Sequence, residues 1–186
     1  SGVVNTVLKT GTEKFEYSLE TYLGDYFTTD TDRYPNNDSY NPTTIQNYQL
    51  SLSGPTGLPQ TTFFVNGRKY LNDGYMYGTR RFTPFDENDF ENKVFHPTGD
   101  SELVSMGNSD EWNGQFKITN QTIENLQFNY QLSYNYAERT VYNHAFRLNP
   151  DGIKTNYTTS LSHGLSLTHT LSPEMFYKIN IRQNLF

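Results

Sequence analysis

The stretch of residues 112–136 constrains the fold more than any other part of the chain. Every second residue in it is apolar, aromatic or glycine, the residues between are polar, and a polar break covers residues 120–125. A repeat of two places the two sets of side chains on opposite faces of a β-strand. Two such runs with a short break between them predict an antiparallel hairpin. The polar set is mostly Asn, Gln, Ser and Thr, which is typical of the interior of a membrane β-barrel, although a soluble β-sandwich can alternate in the same way.

The composition limits the class of protein. The mean hydropathy is −0.76, and only 34% of the 186 residues are hydrophobic, yet 16% are aromatic. Disordered chains are poor in aromatic residues, whereas a barrel needs only one apolar face per strand. The net charge of −6 argues against nucleic-acid binding. The absence of cysteine excludes disulfides and thiolate metal sites, and no apolar run exceeds three residues, so neither a transmembrane helix nor a signal sequence is predicted.

Seven strands of alternating pattern are predicted along the chain. They cover about residues 14–24, 45–53 and 61–72, the two halves of the hairpin within 112–136, about 156–171, and a last strand after the turn at 172–174. The links after the first, third and fifth strands are long, at 25–44, 73–111 and 137–155, and the other links are short. Long connections are uncommon in soluble domains. Short turns on one rim and long loops on the other are typical of outer-membrane barrels, so we expect an all-β, transmembrane, antiparallel up-and-down barrel.

The number of strands predicts that the barrel is larger than this chain. Single-chain bacterial barrels have an even number of strands, so about seven strands make a partial barrel that continues beyond Phe186. The first and last strands would otherwise present unpaired backbone groups, which lipid cannot satisfy. We therefore expect residues 1–186 not to form a stable barrel alone.

Several segments resemble the family of TonB-dependent outer-membrane receptors. Residues 1–15, with the sequence SGVVNTVLKTGTEKF, resemble the junction of plug and barrel in that family, although Ser1 stands where the family has Gly and residues 16–18 follow where a Gly is frequent. Other segments are similar to receptors of Bacteroidetes-like bacteria, at residues 52–55, 63–64, 77–82, 149–152 and 169–173. The resemblance implies a 22-stranded barrel filled by a plug. Residues 1–12 would be the last plug strand and linker, and residues 13–186 the N-terminal part of the barrel.

The resemblance also implies a function and partners. It implies energised uptake of a scarce ligand across the bacterial outer membrane, with no cofactor and no nucleic acid involved. The implied partners are outer-membrane lipid and lipopolysaccharide, and the TonB-ExbB-ExbD energy-coupling system, which would act through an upstream segment. A surface lipoprotein is a further candidate partner. Two alternatives stay open, namely a passive porin-like channel and a secreted β-rich binding or adhesion module.

The residues offer few candidates for chemistry. The candidate ligand-binding residues, expected in the extracellular loops, are Arg80, Arg81 and Trp112; adjacent arginines can bind an anionic group. No Ser/His/Asp set, paired-carboxylate site or phosphate loop is recognisable, so we do not expect an enzyme.

Two sets of residues carry side chains of metal-ligating types. Asp30, Asp32 and Asp38 offer oxygen ligands that suit Ca²⁺, but the segment lacks the Gly and closing Glu of an EF-hand, which favours a solvated loop over a metal site. His163 and His169 share a strand face but lie six residues apart, about 20 Å at the rise of a strand, so they cannot share a metal ion.

Overall fold

The computed structural model describes residues 9–186, which form an all-β structure. Its strands are β1 (Glu16–Gly24), β2 (Ile45–Pro55), β3 (Thr61–Asn72), β4 (Tyr77–Thr79), β5 (Leu103–Ser105), β6 (Ser109–Asn120), β7 (Leu126–Thr140), β8 (Thr155–Ser172) and β9 (Met175–Leu185). Seven of them form one antiparallel up-and-down sheet in the order β1-β2-β3-β6-β7-β8-β9, and β4 pairs separately with β5. The described sheet is open, because its outermost strands β1 and β9 are not paired with each other. Two one-turn 3-10 helices, His144–Phe146 and Pro150–Gly152, lie between β7 and β8.

The seven predicted strands are confirmed as the strands of the main sheet, in the predicted order, whereas β4 and β5 were not predicted. The ends of the strands differ from the prediction in the central hairpin. β6 begins three residues before Trp112, and β7 continues to Thr140. The extension is stabilised by ion pairing between the strands, because the Arg139 guanidinium contacts Glu111 at 2.6 Å. Most of the segment predicted as the last plug strand and linker, residues 1–8 of 1–12, lies outside the described residues.

The register divides the sheet into two faces, because direct partners in neighbouring strands point to the same side. One of them, here called the apolar face, contains three central rows that we name by their residues in β3. The Phe63 row contains Gly54, Phe63, Ile118, Tyr130, Leu165 and Ile181. The Val65 row contains Tyr17, Leu52, Val65, Phe116, Leu132, His163 and Gln183. The Gly67 row contains Leu19, Leu50, Gly67, Gly114, Tyr134, Leu161 and Leu185.

The sheet is a single layer, and few of its apolar side chains are fully buried, although Phe116, Ile118 and Leu132 in its central strands are half-buried. Among the described residues, the only buried hydrophobic side chains are Phe64 at 7% exposed and Met106 at 1%. On the apolar face, Tyr17 is 83% exposed and Ile181 is 65% exposed. A β-sandwich packs two sheets face to face over a shared core. The described part of the chain has no such second sheet.

The opposite face of the sheet, here called the polar face, is lined mainly by amides and hydroxyls. It includes Asn47, Gln49, Ser51, Ser53, Asn113, Gln115, Lys117, Thr119, Gln127, Asn129, Gln131, Ser133 and Asn135. Residues 10–12 cross this face. Lys117 Nζ donates to Thr10 Oγ1 at 2.8 Å, and the hydroxyls of Thr12 and Ser53 are 3.1 Å apart. Gly11 lies so close to β3 that a Cβ atom would overlap the backbone of Phe63.

The connections alternate in length as the sequence predicts. The long loops at residues 25–44, 73–108 and 141–154 lie at one end of the sheet, and the short turns at 56–60, 121–125 and 173–174 lie at the other. Gly57 and Asn125 have positive φ angles of 87° and 60°, which tight turns require at such positions. No helix in the described part of the chain is long and apolar enough to cross a membrane.

Candidate functional site

The second and third long loops are joined into one unit at the loop end of the sheet. The N–H of Thr79 donates to the Arg147 carbonyl at 2.7 Å, and the N–H of Phe82 donates to the Leu148 carbonyl at 2.8 Å. Met106, buried beside Gly78, fills the space between β4 and the third loop. These contacts give the loops a fixed arrangement.

Arg80 fastens the same two loops through three carboxylates. Its Nε atom donates to Asp151 at 2.7 Å, and its Nη1 atom donates to Asp100 at 2.9 Å and to Glu102 at 3.1 Å. The hydrogen bond to Asp151, followed by that to Asp100, raises the pKa of Arg80 above its ordinary value. The guanidinium predicted as a ligand contact is therefore occupied by the protein's own acids.

The structure does not bring the other two candidate residues to Arg80. The Arg81 guanidinium lies 5.9 Å from the centre of the Phe82 ring and forms no ion pair with a described residue. Trp112 lies in β6 on the apolar face rather than in a loop, with Lys69 Nζ 4.6 Å from its ring centre. The three residues therefore do not form one binding site.

Asp86 closes a smaller loop within the second long loop, residues 73–108. Its carboxylate accepts hydrogen bonds from the hydroxyl of Thr98, from the hydroxyl of Thr83 at 2.7 Å and from the N–H of Thr83 at 3.0 Å. These bonds, that from the Thr98 hydroxyl first, lower the pKa of Asp86 to about 2 although partial desolvation opposes them. These hydrogen bonds join the two ends of the segment 83–98.

The three aspartates considered for metal binding are not gathered into a site. Asp30 lies 3.7 Å from the Arg33 guanidinium, which is a surface ion pair. Among residues 9–186, no group of three or more His, Asp or Glu side chains could hold a metal ion together.

An aromatic pocket lies at the loop end of the sheet. It has a volume of about 230 Å³ and lies between the first and second loops. The ring of Tyr75 contacts two others, with centroid distances of 5.1 Å to Tyr26 and 6.0 Å to Tyr34. The lining residues are Tyr26, Phe27, Thr28, Tyr34, Asn37 and Tyr75.

Asn37 holds the walls of this pocket in place. Its side-chain amide is 3% exposed and donates to the carbonyls of Tyr75 at 2.9 Å, Tyr34 at 3.3 Å and Pro35 at 3.3 Å. The backbone carbonyl of Asn37 accepts a hydrogen bond from the N–H of Thr28 at 2.8 Å. One buried side chain thus ties the first loop to the second.

The pocket chemistry suits an uncharged ligand. No charged side chain lines it, and the hydroxyls of Tyr34 and Tyr75 have no hydrogen-bond partner among the described residues. Aromatic faces beside free hydroxyls can bind a ring that has an apolar face and polar edges. The sequence does not predict this site, because only the excess of tyrosine in polar loops indicates it.

Comparison of the chain with protein-family models, with curated proteins and with solved structures finds no match in any of the three.

Proposed function

We propose that this chain is the N-terminal part of the barrel of a TonB-dependent outer-membrane receptor that imports a scarce ligand. In this proposal the apolar face contacts lipid, the polar face surrounds a plug, and the long loops with their aromatic pocket are outside the cell. Its partners are then outer-membrane lipid, lipopolysaccharide and the energy-coupling system, with a surface lipoprotein as a further candidate.

The single observation that carries this proposal is the exposed, single-layered apolar face. Seven strands span roughly 30 Å at the spacing of a sheet, and the three central rows cover that width with aliphatic and aromatic side chains almost throughout. Apolar patches on soluble monomers are rarely larger than a few hundred Å². Lipid would remove this surface from water without any second layer of protein.

The row next to the loops supports the same orientation. Its residues in four consecutive strands are Tyr48, Lys69, Trp112 and Tyr136. Trp and Tyr are enriched where a membrane surface meets water, and Lys there keeps its charge in water while its stem packs on apolar surface. Lys69 also contacts Asp110, one row nearer the loops.

Residues 10–12 favour a filled barrel over a passive porin. They cross the polar face and contact Ser53, Phe63 and Lys117, so chain preceding β1 occupies the side that a porin leaves to water. A plug in the interior is the arrangement that fits this placement.

The test uses the full-length protein in its native membrane. We expect it to require detergent for extraction, to change its gel mobility on heating, and to be cut on intact cells within residues 25–44, 73–108 or 141–154. Cleavage confined to residues 56–60 or 121–125 would reverse the topology. A protein that is soluble and monodisperse without detergent would overturn the proposal.

A further inference from the structure

The aromatic pocket between the first and second loops contains a buried acceptor that the described chain leaves unused. The Asn37 side chain is 3% exposed, and its Nδ2 atom donates to three carbonyls. These bonds fix the orientation of the amide, because a flipped amide would turn its oxygen towards carbonyl oxygens. The Oδ1 atom of Asn37 receives no hydrogen bond from a described residue, although it remains accessible. A buried carbonyl without a donor is costly, so a ligand that supplies an O–H or N–H group is favoured here.

The pocket lies above β2 and β3 rather than at the unpaired edge of β1. Tyr26 follows the end of β1 by two residues, and its hydroxyl accepts a hydrogen bond from Asn72, the last residue of β3, at 3.2 Å. The first loop therefore crosses over β2 at this point. Tyr75 of the second loop contacts the rings of Tyr26 and Tyr34 from the other side. The walls of the pocket are thus formed by two loops that both belong to the described chain.

Volume and charge restrict the ligand to one uncharged ring. Pockets for drug-sized ligands have volumes of about 300–1,000 Å³, whereas this pocket has about 230 Å³. No charged side chain lines it. The first loop around it contains four aspartates, at positions 25, 30, 32 and 38, and only one arginine. This excess of negative charge repels an anionic ring.

We propose that the aromatic pocket binds one neutral sugar ring of a carbohydrate. The C–H face of such a ring packs on the tyrosine rings. A sugar hydroxyl donates to Asn37 Oδ1, and others bond to the free hydroxyls of Tyr34 and Tyr75, because a hydroxyl is both donor and acceptor. A purely apolar ring of the same size would leave Asn37 Oδ1 without a donor. The proposal rests on the receptor function proposed above, which places the pocket outside the cell and makes the carbohydrate the imported ligand.

The experiment measures carbohydrate binding by the full-length protein in lipid nanodiscs. A printed array of neutral and acidic oligosaccharides identifies the strongest neutral binder, and calorimetry then gives its dissociation constant. Tyr75→Ala removes the central ring of the pocket. Tyr34→Phe and Tyr75→Phe remove only the hydroxyls and keep the rings, so they preserve the packing of the loops. Tyr40→Ala is the matched control, because Tyr40 belongs to the same loop, is 70% exposed and does not line the pocket.

We expect a neutral oligosaccharide to bind and its acidic counterparts not to bind. Each Phe variant should raise the dissociation constant roughly two- to tenfold, as one lost hydrogen bond does. Tyr75→Ala should raise it roughly tenfold or more, and Tyr40→Ala should leave it unchanged.

The outcomes separate this proposal from the receptor function. A heat-modifiable barrel that binds no neutral oligosaccharide, that binds acidic sugars or peptides instead, or that binds equally well with Tyr75→Ala, overturns the sugar site but not the receptor. A protein that needs no lipid or detergent overturns the receptor, and with it the import of the sugar.

Discussion

At the scale of single residues, charged side chains link separate parts of the long loops through hydrogen bonds. Arg80 contacts carboxylates at residues 100, 102 and 151, and Asp86 contacts both Thr83 and Thr98. These residues are on the surface, so their effect is on loop order more than on global stability.

The first prediction concerns Arg80. Arg80→Ala should leave Asp100, Glu102 and Asp151 close together without a cation, so residues 99–102 and 147–153 should be cut faster by protease on intact cells. Arg81→Ala is the matched control, because Arg81 forms no ion pair with a described residue. Equal protection in the two variants would show that Arg80 does not fasten the loops.

The second prediction is a pH dependence set by Asp86. Its pKa is about 2 in the folded loop against an ordinary value of 3.8, so the ionised carboxylate stabilises the loop fully above the ordinary value. That contribution is lost as the pH falls from 3.8 towards 2, because the proton binds the opened loop more tightly. Asp100 has a lowered pKa too, through the N–H of Glu102 first, and acts in the same direction.

Hydrogen exchange of residues 83–98, corrected for the intrinsic effect of pH, measures this opening. Protection should be high at about pH 5 and fall by about pH 2. Asp86→Asn should lower protection at neutral pH and remove most of the dependence. If protection in that variant depends on pH as it does in the unchanged protein, groups other than Asp86 cause the pH dependence.

At the scale of the elements, the strands could be predicted and the loop structure could not. The alternation of residues identified all seven long strands, because each buries or exposes one face along its whole length. β4 and β5 were missed because three residues, such as 77–79, are too few for a period of two to be recognised. The ends of β6 and β7 were missed because the Glu111–Arg139 pair extends them beyond the apolar pattern.

The aromatic pocket shows the same limit for the candidate site. Tyr34 and Tyr75 are forty-one positions apart in the sequence, and their rings meet where Asn37 bonds from the first loop to the second. Arg80 was predicted as a ligand contact from its residue type, but its acidic partners lie in a different part of the second loop and in the third. The packing of the loops brings these acidic partners to Arg80, and no local sequence pattern predicts that packing.

The third prediction tests how the pocket is held. Asn37→Ala removes the donor to three carbonyls in a buried place and should cost about 1–3 kcal/mol of local stability. Amide exchange in residues 26–37 and at Tyr75 should rise accordingly. Asp38→Ala, at an exposed neighbouring residue, is the control and should leave exchange unchanged. The same exchange in both variants would mean that the pocket is held by its rings alone.

At the scale of the whole molecule, the sheet has two faces of opposite character and almost no buried core. A soluble domain of this size would hide most of its apolar side chains, whereas here only Phe64 and Met106 are buried among hydrophobic residues of the described chain. The polar face, the aromatic row beside the loops and the alternation of loop lengths are all accounted for by lipid on one side and a plug on the other. We therefore infer that the apolar face contacts lipid.

The most direct test of that claim places one arginine on each face of the same strand. Leu132 lies in the central row of the apolar face, and Ser133 is the next residue and lies on the polar face, opposite Gln115. An arginine near the middle of the bilayer costs roughly 2–4 kcal/mol on the lipid side of a barrel. The fraction of heat-modifiable protein in the outer membrane should therefore fall sharply for Leu132→Arg and stay near normal for Ser133→Arg. Equal assembly of the two variants, or greater loss for Ser133→Arg, would contradict lipid contact of the apolar face.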